Sequence, residues 1–148
     1  MSPPYLLAYP DPDGDGIPNG NPEVHLSGFG LEDTHAVANS LRWGPDGWIY
    51  GAQGSTTTAN ISSQATKNVK FSGQAIWRYH PDTHVFEIYG EGGGNTFNVE
   101  IDSKGKIFSG TNGYGRGPYY KQGGYYRKSW GKHGPLTNPY AFGYLEDM

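Results

Sequence analysis

The tetrad Glu32-Asp33-Thr34-His35 places a histidine beside two carboxylates. An imidazole can take a proton from a substrate hydroxyl near neutral pH, and a neighbouring carboxylate stabilises the imidazolium that forms. His35 is therefore a candidate general base, with Asp33 or Glu32 as its partner. The same side chains equally suit a structural role in which they cap a loop through hydrogen bonds.

Three carboxylates alternate along the segment 11–16, and Gly16 follows them at the sixth position. This is the first half of an EF-hand-type calcium loop, in which alternate side chains converge on the ion and the glycine allows a sharp turn. The predicted ligands are Asp11, Asp13, Asp15, the carbonyl of Ile17, the side chain of Asn19, and Glu23. Pro22 occupies the twelfth position, where a bidentate acid is expected, so Glu23 comes one residue late. A plain acidic turn is the alternative, and calcium here would brace a hairpin rather than take part in catalysis.

Glycines and amides occupy the ends of two further predicted strands. Gly92, Gly93 and Gly94 precede Asn95, so the backbone can approach a ligand closely while the amide donates and accepts hydrogen bonds. Asn112-Gly113 offers a similar pair. The alternative is a flexible turn, and a phosphate-binding loop is not indicated because no Lys-Ser or Lys-Thr follows.

Charge is unevenly distributed although the net charge is only −3. Residues 1–66 hold seven acids and a single base, whereas no acid occurs between Asp102 and Glu146. In 116–133, tyrosines and a tryptophan alternate with Lys and Arg, a pattern that suits an anionic cofactor, a carbohydrate, or an outer strand whose cations extend to solvent. Nucleic acid is the least favoured partner, since no nucleic-acid-binding motif is present.

Composition excludes several classes of site and favours strands. The chain has no cysteine, so disulfides, zinc–thiolate centres and thiol nucleophiles are excluded. No run of 18 apolar residues occurs, which predicts no membrane span in this chain. Six Phe, four Trp and twelve Tyr supply apolar area, while 24 Gly and 11 Pro indicate many turns. No stretch shows a helical apolar rhythm. These features predict an all-β fold.

A repeated block predicts the architecture. Residues 41–51 match 99–109 at an offset of 58, with apolar residues, a Gly-containing turn and an aromatic at equivalent places. Self-similarity at such a period indicates a repeat fold, and each copy has the pattern of two strands joined by a tight turn. We therefore expect a partial β-propeller of about two and a half four-stranded antiparallel blades.

The predicted strands occupy 5–9, 23–26, 40–44, 48–52, 75–80, 85–89, 97–101, 106–111 and 125–128, with a polar loop at 55–72. Within one propeller fragment, 1–148, the outer hairpin of a preceding blade covers 1–29 and a complete blade covers 39–90. An incomplete blade covers 95–130, and 131–148 connects to the next blade. Because two and a half blades leave both end sheets uncovered, the chain is expected to be part of a longer protein.

Four segments together resemble a known family: 30–47, 92–97, 122–126 and 133–143. They are similar to the membrane-bound dehydrogenase domain of planctomycete and verrucomicrobial proteins, which is related to soluble quinoprotein glucose and sorbosone dehydrogenases. The resemblance implies a six-bladed parent that is periplasmic or extracellular and that oxidises a sugar or another alcohol with pyrroloquinoline quinone. A haem domain in the parent is the implied electron acceptor.

The resemblance also implies roles for individual residues. His35 lies one residue from the place of the base that takes the substrate proton, Asn95 matches an asparagine that touches the quinone, and Asn112-Gly113 matches a pair beside cofactor and calcium. Two positions depart from the family pattern. Gly94 replaces a cofactor-binding arginine, and Ala52 replaces a substrate-side aspartate. A non-catalytic, calcium-stabilised propeller that binds glycans or a protein is therefore the alternative function.

Overall fold

The computed structural model describes residues 1–112, 118–128 and 143–145, and these residues form an all-β fold that contains no helix. The strands are β1 (Tyr5–Ala8), β2 (Glu23–Phe29), β3 (Asn39–Trp43), β4 (Ile49–Gln53), β5 (Thr58–Ser62), β6 (Val69–Ser72), β7 (Ala75–His80), β8 (Val85–Gly93), β9 (Asn95–Ile101), β10 (Ile107–Asn112), β11 (Tyr119–Tyr120), β12 (Gly124–Lys128) and β13 (Gly143–Leu145). Within the described residues, no helix is long and apolar enough to cross a membrane.

The strands form three open sheets. The first sheet has the order β1-β2-β5-β6, and the third sheet has the order β9-β10-β11. The central sheet contains β3, β4, β7 and β8 as antiparallel neighbours, and β12 and then β13 continue it in parallel beyond β8.

Local turn chemistry forms the hairpins of the central sheet as the sequence predicted. At the β3–β4 turn, the Gly44 N–H donates to the Trp48 carbonyl at 2.7 Å, and Asp46 Oδ1 accepts from the Trp48 N–H at 3.3 Å. Gly47 has a φ of +80°, which only glycine adopts without strain. The predicted β7–β8 hairpin across 81–83 is also confirmed.

Both faces of the central sheet are largely buried at β4 and β7. Trp77 and Phe86 pack with Phe29 and Phe71 of the first sheet, whereas Ile76 lies in a separate cluster with residues of the third sheet. That second cluster contains Tyr50, Ala52, Ile76, Val99, Ile107, Tyr120 and Tyr126. Gly51 lies flat against Trp77, since a Cβ added to Gly51 would fall 2.2 Å from the Trp77 ring. The three sheets therefore stack face to face with two apolar layers between them.

Equivalent positions of the sequence repeat take equivalent places in this stack. Leu41 packs against the cluster on the first-sheet side, and its counterpart Val99 packs toward the central sheet. Tyr50 is buried between the central and third sheets, while its counterpart Phe108 lies on the outer face of the third sheet and is 40% exposed. The sequence repeat thus maps the β3–β4 hairpin of the central sheet onto the β9–β10 hairpin of the third sheet.

Two features of the predicted layout were wrong. The segment 55–72 is not a loop but contains the β5–β6 hairpin, which pairs with β2 and completes the first sheet. Residues 39–90 consequently contribute to two sheets. Strand β12, predicted at 125–128 as part of the incomplete blade, instead pairs in parallel with β8, and β11 is the third strand beside β10.

An aromatic and ionic cluster closes one end of the central sheet. The Arg78 guanidinium lies 4.1 Å from the centroid of the Trp48 ring and 2.7 Å from Glu87 Oε2. The Tyr50 hydroxyl donates to Asp46 Oδ2 at 2.7 Å, and burial raises the pKa of Tyr50 to about 12. Arg78 also lies 3.7 Å from Asp46 Oδ2 and donates to the Tyr50 hydroxyl, so these side chains form one connected network.

A buried ion pair holds β12 in place. Lys128 Nζ lies 3.6 Å from Glu91 Oε1 and donates to the carbonyl of Ser72 at 2.9 Å, and both charged side chains are at most 1% exposed. Desolvation lowers the pKa of Lys128, and the charge of Glu91 opposes that shift. The pair joins β12 to β8 and also to the first sheet.

We expect Lys128→Met to lower the free energy of unfolding by about 3–5 kcal/mol, because it removes the cation that lies beside the buried Glu91 carboxylate. The double variant Lys128→Met/Glu91→Gln should recover most of that loss. Urea unfolding measures both effects, with the exposed Lys70→Met as control. A double variant as unstable as the single one would show that the buried charge of Glu91 is not the cause.

Candidate functional site

Polar groups converge at the end of the central sheet opposite Arg78, which we call the polar end. Here β4 ends at Gln53, β7 begins at Ala75, and β8 reaches Glu91 beside Ala75. The loop before β3 is tied in by the Gly54 N–H, which donates to the Ala36 carbonyl at 3.0 Å. The loop before β3, the segment after β4 and the segment before β7 therefore meet at the polar end.

The structure places His35 and Asp33 at this end as a pair. His35 Nδ1 lies 3.8 Å from Asp33 Oδ1, and the His35 side chain is 91% exposed. The carboxylate is held in place because Oδ1 accepts from the His35 backbone N–H at 3.1 Å and Oδ2 accepts from the Thr56 hydroxyl. The arrangement presents an open imidazole beside a fixed anion, which suits a proton acceptor.

Glu32 does not share this role. Its carboxylate accepts a hydrogen bond from the Thr58 hydroxyl, and that bond lowers the pKa of Glu32. Glu32 is thus an anchor for the loop on β5, and Asp33 is the partner of the histidine.

Asn95 lies in the same cluster. Its Oδ1 accepts from the Ser55 N–H at 3.0 Å, and a Cβ added to Gly54 would fall 2.2 Å from that oxygen. Only glycine fits at position 54 while the amide keeps this place. The contacts between Asp33 and Thr56, Ala36 and Gly54, and Ser55 and Asn95 bring the predicted base and the predicted cofactor ligand to one site.

The other predicted cofactor residues are only partly described. The backbone of Asn112 pairs with Asn95 across the β9–β10 ladder, so its strand end reaches the same region. Its side chain and Gly113 lie outside the described residues, as do Arg116 and Trp130 of the basic aromatic segment.

The sequence patterns did not predict that two buried glutamines belong to this site. Gln53 and Gln74 are both fully buried at the polar end. Gln53 Nε2 donates to the carbonyls of Thr57 and Gly73 at 2.8 and 3.3 Å. Among the described residues, Gln53 Oε1 and both amide atoms of Gln74 have no hydrogen-bond partner. The sequence feature that could have indicated this is a glutamine at the end of an otherwise apolar strand. Glutamine is rarely buried, and a buried amide normally has a hydrogen-bond partner.

The predicted calcium ligands form a separate, exposed cluster in the β1–β2 connection. Carboxylate oxygens of Asp11, Asp13 and Asp15 lie within 4.8 Å of one another. The loop is already folded by its own hydrogen bonds, since Asp11 accepts from the Gly14 and Gly16 N–H groups at 3.0 Å.

The remaining predicted calcium ligands differ in their placement. Asn19 Nδ2 lies 3.5 Å from Asp13 Oδ2, and the Ile17 N–H donates to Asp15 Oδ1 at 2.7 Å. Glu23 begins β2, and its carboxylate lies 3.7 Å from His25. This loop is distinct from the polar end.

Comparison with known proteins identifies one family. A family model described as a domain of unknown function, DUF7133, matches residues 1–139. No curated protein and no solved structure matches the chain.

If the loop 11–16, which we call the aspartate loop, binds calcium, we expect a dissociation constant of about 10⁻⁴–10⁻³ M, because the bidentate twelfth ligand is absent. Asp13→Asn should weaken binding at least about tenfold. Isothermal titration with Ca²⁺ measures this, with Asp82→Asn in an exposed hairpin turn as control. Equal affinity of the two variants would contradict a site at this loop.

Proposed function

The chain belongs to the DUF7133 family, and we propose that it is part of the β-propeller of a quinoprotein-like dehydrogenase that oxidises a sugar or another alcohol. The observation that carries the proposal is that the Asp33–His35 pair and Asn95, which is sixty positions later in the sequence, meet at one end of the central sheet. The family resemblance assigns a base and a cofactor ligand to two of these three residues.

The stacking of the sheets supports a propeller. Each sheet covers the face of the next, and the sequence repeat maps one sheet onto its neighbour. Radial repetition of such sheets closes a ring in propellers, which typically have four to eight blades. We infer about two and a half blades of a six-bladed parent, with the uncovered faces of the first and third sheets packing on further blades.

In this proposal His35 takes the proton of the substrate hydroxyl. Asp33 lies beside Nδ1, so a fixed negative charge stabilises the imidazolium as the proton arrives. The Thr56 hydroxyl and the His35 backbone N–H keep that carboxylate in place. The exposure of the ring leaves its other nitrogen accessible to a substrate.

The described residues of the polar end do not by themselves fit pyrroloquinoline quinone. The cofactor carries three carboxylates, which require cations, and the described cation near this end is Lys128, which is buried and paired with Glu91. Gly94 stands where the related enzymes have an arginine. Cationic ligands would therefore have to come from other parts of the parent, and no step through the quinone is assigned to this chain. Calcium at the aspartate loop would be structural.

The setting of the parent follows from the same resemblance. We infer a periplasmic or extracellular protein in which a haem domain accepts the electrons. A small sugar or alcohol is the substrate.

A non-catalytic propeller, stabilised by calcium, that binds glycans or a partner protein is the second candidate. It is favoured by the loss of the arginine at Gly94 and by an exposed aromatic group on the third sheet, where the Phe108 and Tyr119 rings lie 5.3 Å apart. Lys106 and Lys121 lie near the Tyr119 ring. Aromatic rings flanked by cations suit stacking on sugars.

We expect His35→Ala to lower the turnover of dye-linked alcohol oxidation in the full-length protein by about 10²–10⁴-fold, because a general base is lost. His80→Ala is the matched control, since His80 packs against Trp48 at the opposite end of the sheet. Equal turnover of the wild type and His35→Ala would rule out His35 as the general base. Glycan binding that persists without quinone in His35→Ala would favour the second candidate.

We expect the isolated 148-residue chain to self-associate through the outer face of the third sheet. Phe108→Ser should weaken association at least about tenfold, since burial of a Phe side chain stabilises a contact by about 1.5–3 kcal/mol. Sedimentation equilibrium measures this. Ile17→Ser, which removes another exposed apolar side chain, should leave association unchanged, and an equal effect of both variants would contradict a packing face.

A further inference from the structure

The connection between β1 and β2 contains an Asn-Gly pair whose second nitrogen is free. Asn19 and Gly20 are both exposed, and a Cβ added to Gly20 would have no atom within 4 Å. Gly20 has a φ of +148°, which residues with a side chain rarely adopt. Within the part of the chain that the structure describes, no group accepts a hydrogen bond from the Gly20 N–H. This nitrogen is therefore open to attack on a neighbouring carbonyl carbon.

The backbone of Asn19 is fixed, whereas its side chain is weakly held. The Asn19 N–H donates to the Pro10 carbonyl at 2.8 Å, which anchors the peptide just before Gly20. The side-chain Nδ2 lies 3.5 Å from Asp13 Oδ2, beyond the range of about 2.7–3.2 Å in which N–H···O bonds are strong. The Asn19 side chain can therefore turn until its Cγ meets the Gly20 nitrogen.

This arrangement suits an intramolecular displacement. The Gly20 nitrogen loses its proton and bonds to Asn19 Cγ, the Cγ–Nδ2 bond breaks, and ammonia leaves. The product is a cyclic imide, and water then opens either of its two carbonyls to give aspartate or isoaspartate. No oxidant or reductant takes part. Because nucleophile and carbonyl belong to neighbouring residues, their proximity replaces the cost of a bimolecular encounter.

Two other asparagines provide a comparison within the same chain. Asn21 is also exposed, but Pro22 follows it, and a proline nitrogen has no proton to lose. Asn112 is followed by glycine like Asn19, yet its backbone pairs with Asn95 in the β9–β10 ladder. Closure of the imide ring would require Asn112 to leave that strand. The exposed position of Asn19 in the loop, and not the dipeptide alone, therefore favours its reaction.

We propose that Asn19 is a site of spontaneous deamidation, which converts it to aspartate or isoaspartate. The new carboxylate lies beside Asp13 and adds one negative charge to the connection that already holds Asp11, Asp13 and Asp15. The modification therefore changes the charge of this connection without any enzyme. It is independent of the polar end and of the proposed oxidation, and it does not require that the aspartate loop bind calcium.

The test is incubation of the folded 148-residue chain in a warm, mildly alkaline buffer, with a chelator present to keep cations off the aspartate loop. Peptide mass spectrometry follows the conversion of each asparagine, and fragmentation distinguishes isoaspartate from aspartate. We expect conversion at Asn19 to be at least about tenfold faster than at Asn21 or Asn112, since only Asn19 combines a free backbone N–H with an unpaired backbone segment.

Gly20→Ala should slow the conversion about tenfold, because a Cβ crowds the attacking nitrogen and disfavours the positive φ. Asn19→Gln should abolish it at this position, because the longer side chain forms the ring far more slowly. Asn21→Gln is the matched control in the same loop and should leave the rate at Asn19 unchanged. Circular dichroism checks that each variant is folded. An unmodified Asn19, or equal rates at Asn19 and Asn112, would overturn the proposal.

Discussion

Burial of both faces of β7 is the constraint on which the rest of the structure depends. Neighbouring residues of this strand point to opposite sides, so Trp77 fills the layer toward the first sheet and Ile76 fills the layer toward the third. Neither face can reach water, and a strand buried on both sides must be apolar throughout or must pair its polar groups. Arg78 satisfies this requirement because Trp48, Asp46 and Glu87 enclose its guanidinium.

The same constraint explains why the two ends of the central sheet differ. At the Arg78 end, the guanidinium has Asp46 and Glu87 as partners of opposite charge and Trp48 as an aromatic neighbour. At the polar end, amide atoms of Gln53 and Gln74 are enclosed without partners among the described residues. Buried polar atoms of this kind carry a desolvation cost of about 1–3 kcal/mol, which ordered water or polar groups from other parts of a larger assembly would offset. Function is therefore expected at the polar end.

Local signals in the sequence predicted the central hairpins because their turns are determined within a few residues. Gly47 adopts a positive φ and Asp46 accepts a backbone N–H, and both effects are visible in the string Gly-Pro-Asp-Gly. The β5–β6 hairpin was missed because its Thr, Asn and Ser residues resemble a loop. Its strands are stabilised by pairing with β2, which lies thirty or more positions earlier in the chain. The parallel pairing of β12 with β8 is likewise non-local, and the ion pair that supports it joins positions 91 and 128.

The candidate site shows the same division between local and distant causes. Asp33 and His35 were predictable as a pair because only Thr34 separates them, and the structure keeps His35 Nδ1 3.8 Å from Asp33 Oδ1. That Asn95 reaches the same place depends on Gly54, whose missing Cβ leaves room for the amide oxygen. No sequence pattern links position 54 to position 95, since the contact arises only when the third sheet stacks on the central sheet. A site of this kind is thus a consequence of sheet stacking, and residues that set the distance between sheets control its geometry as directly as those that carry its chemistry.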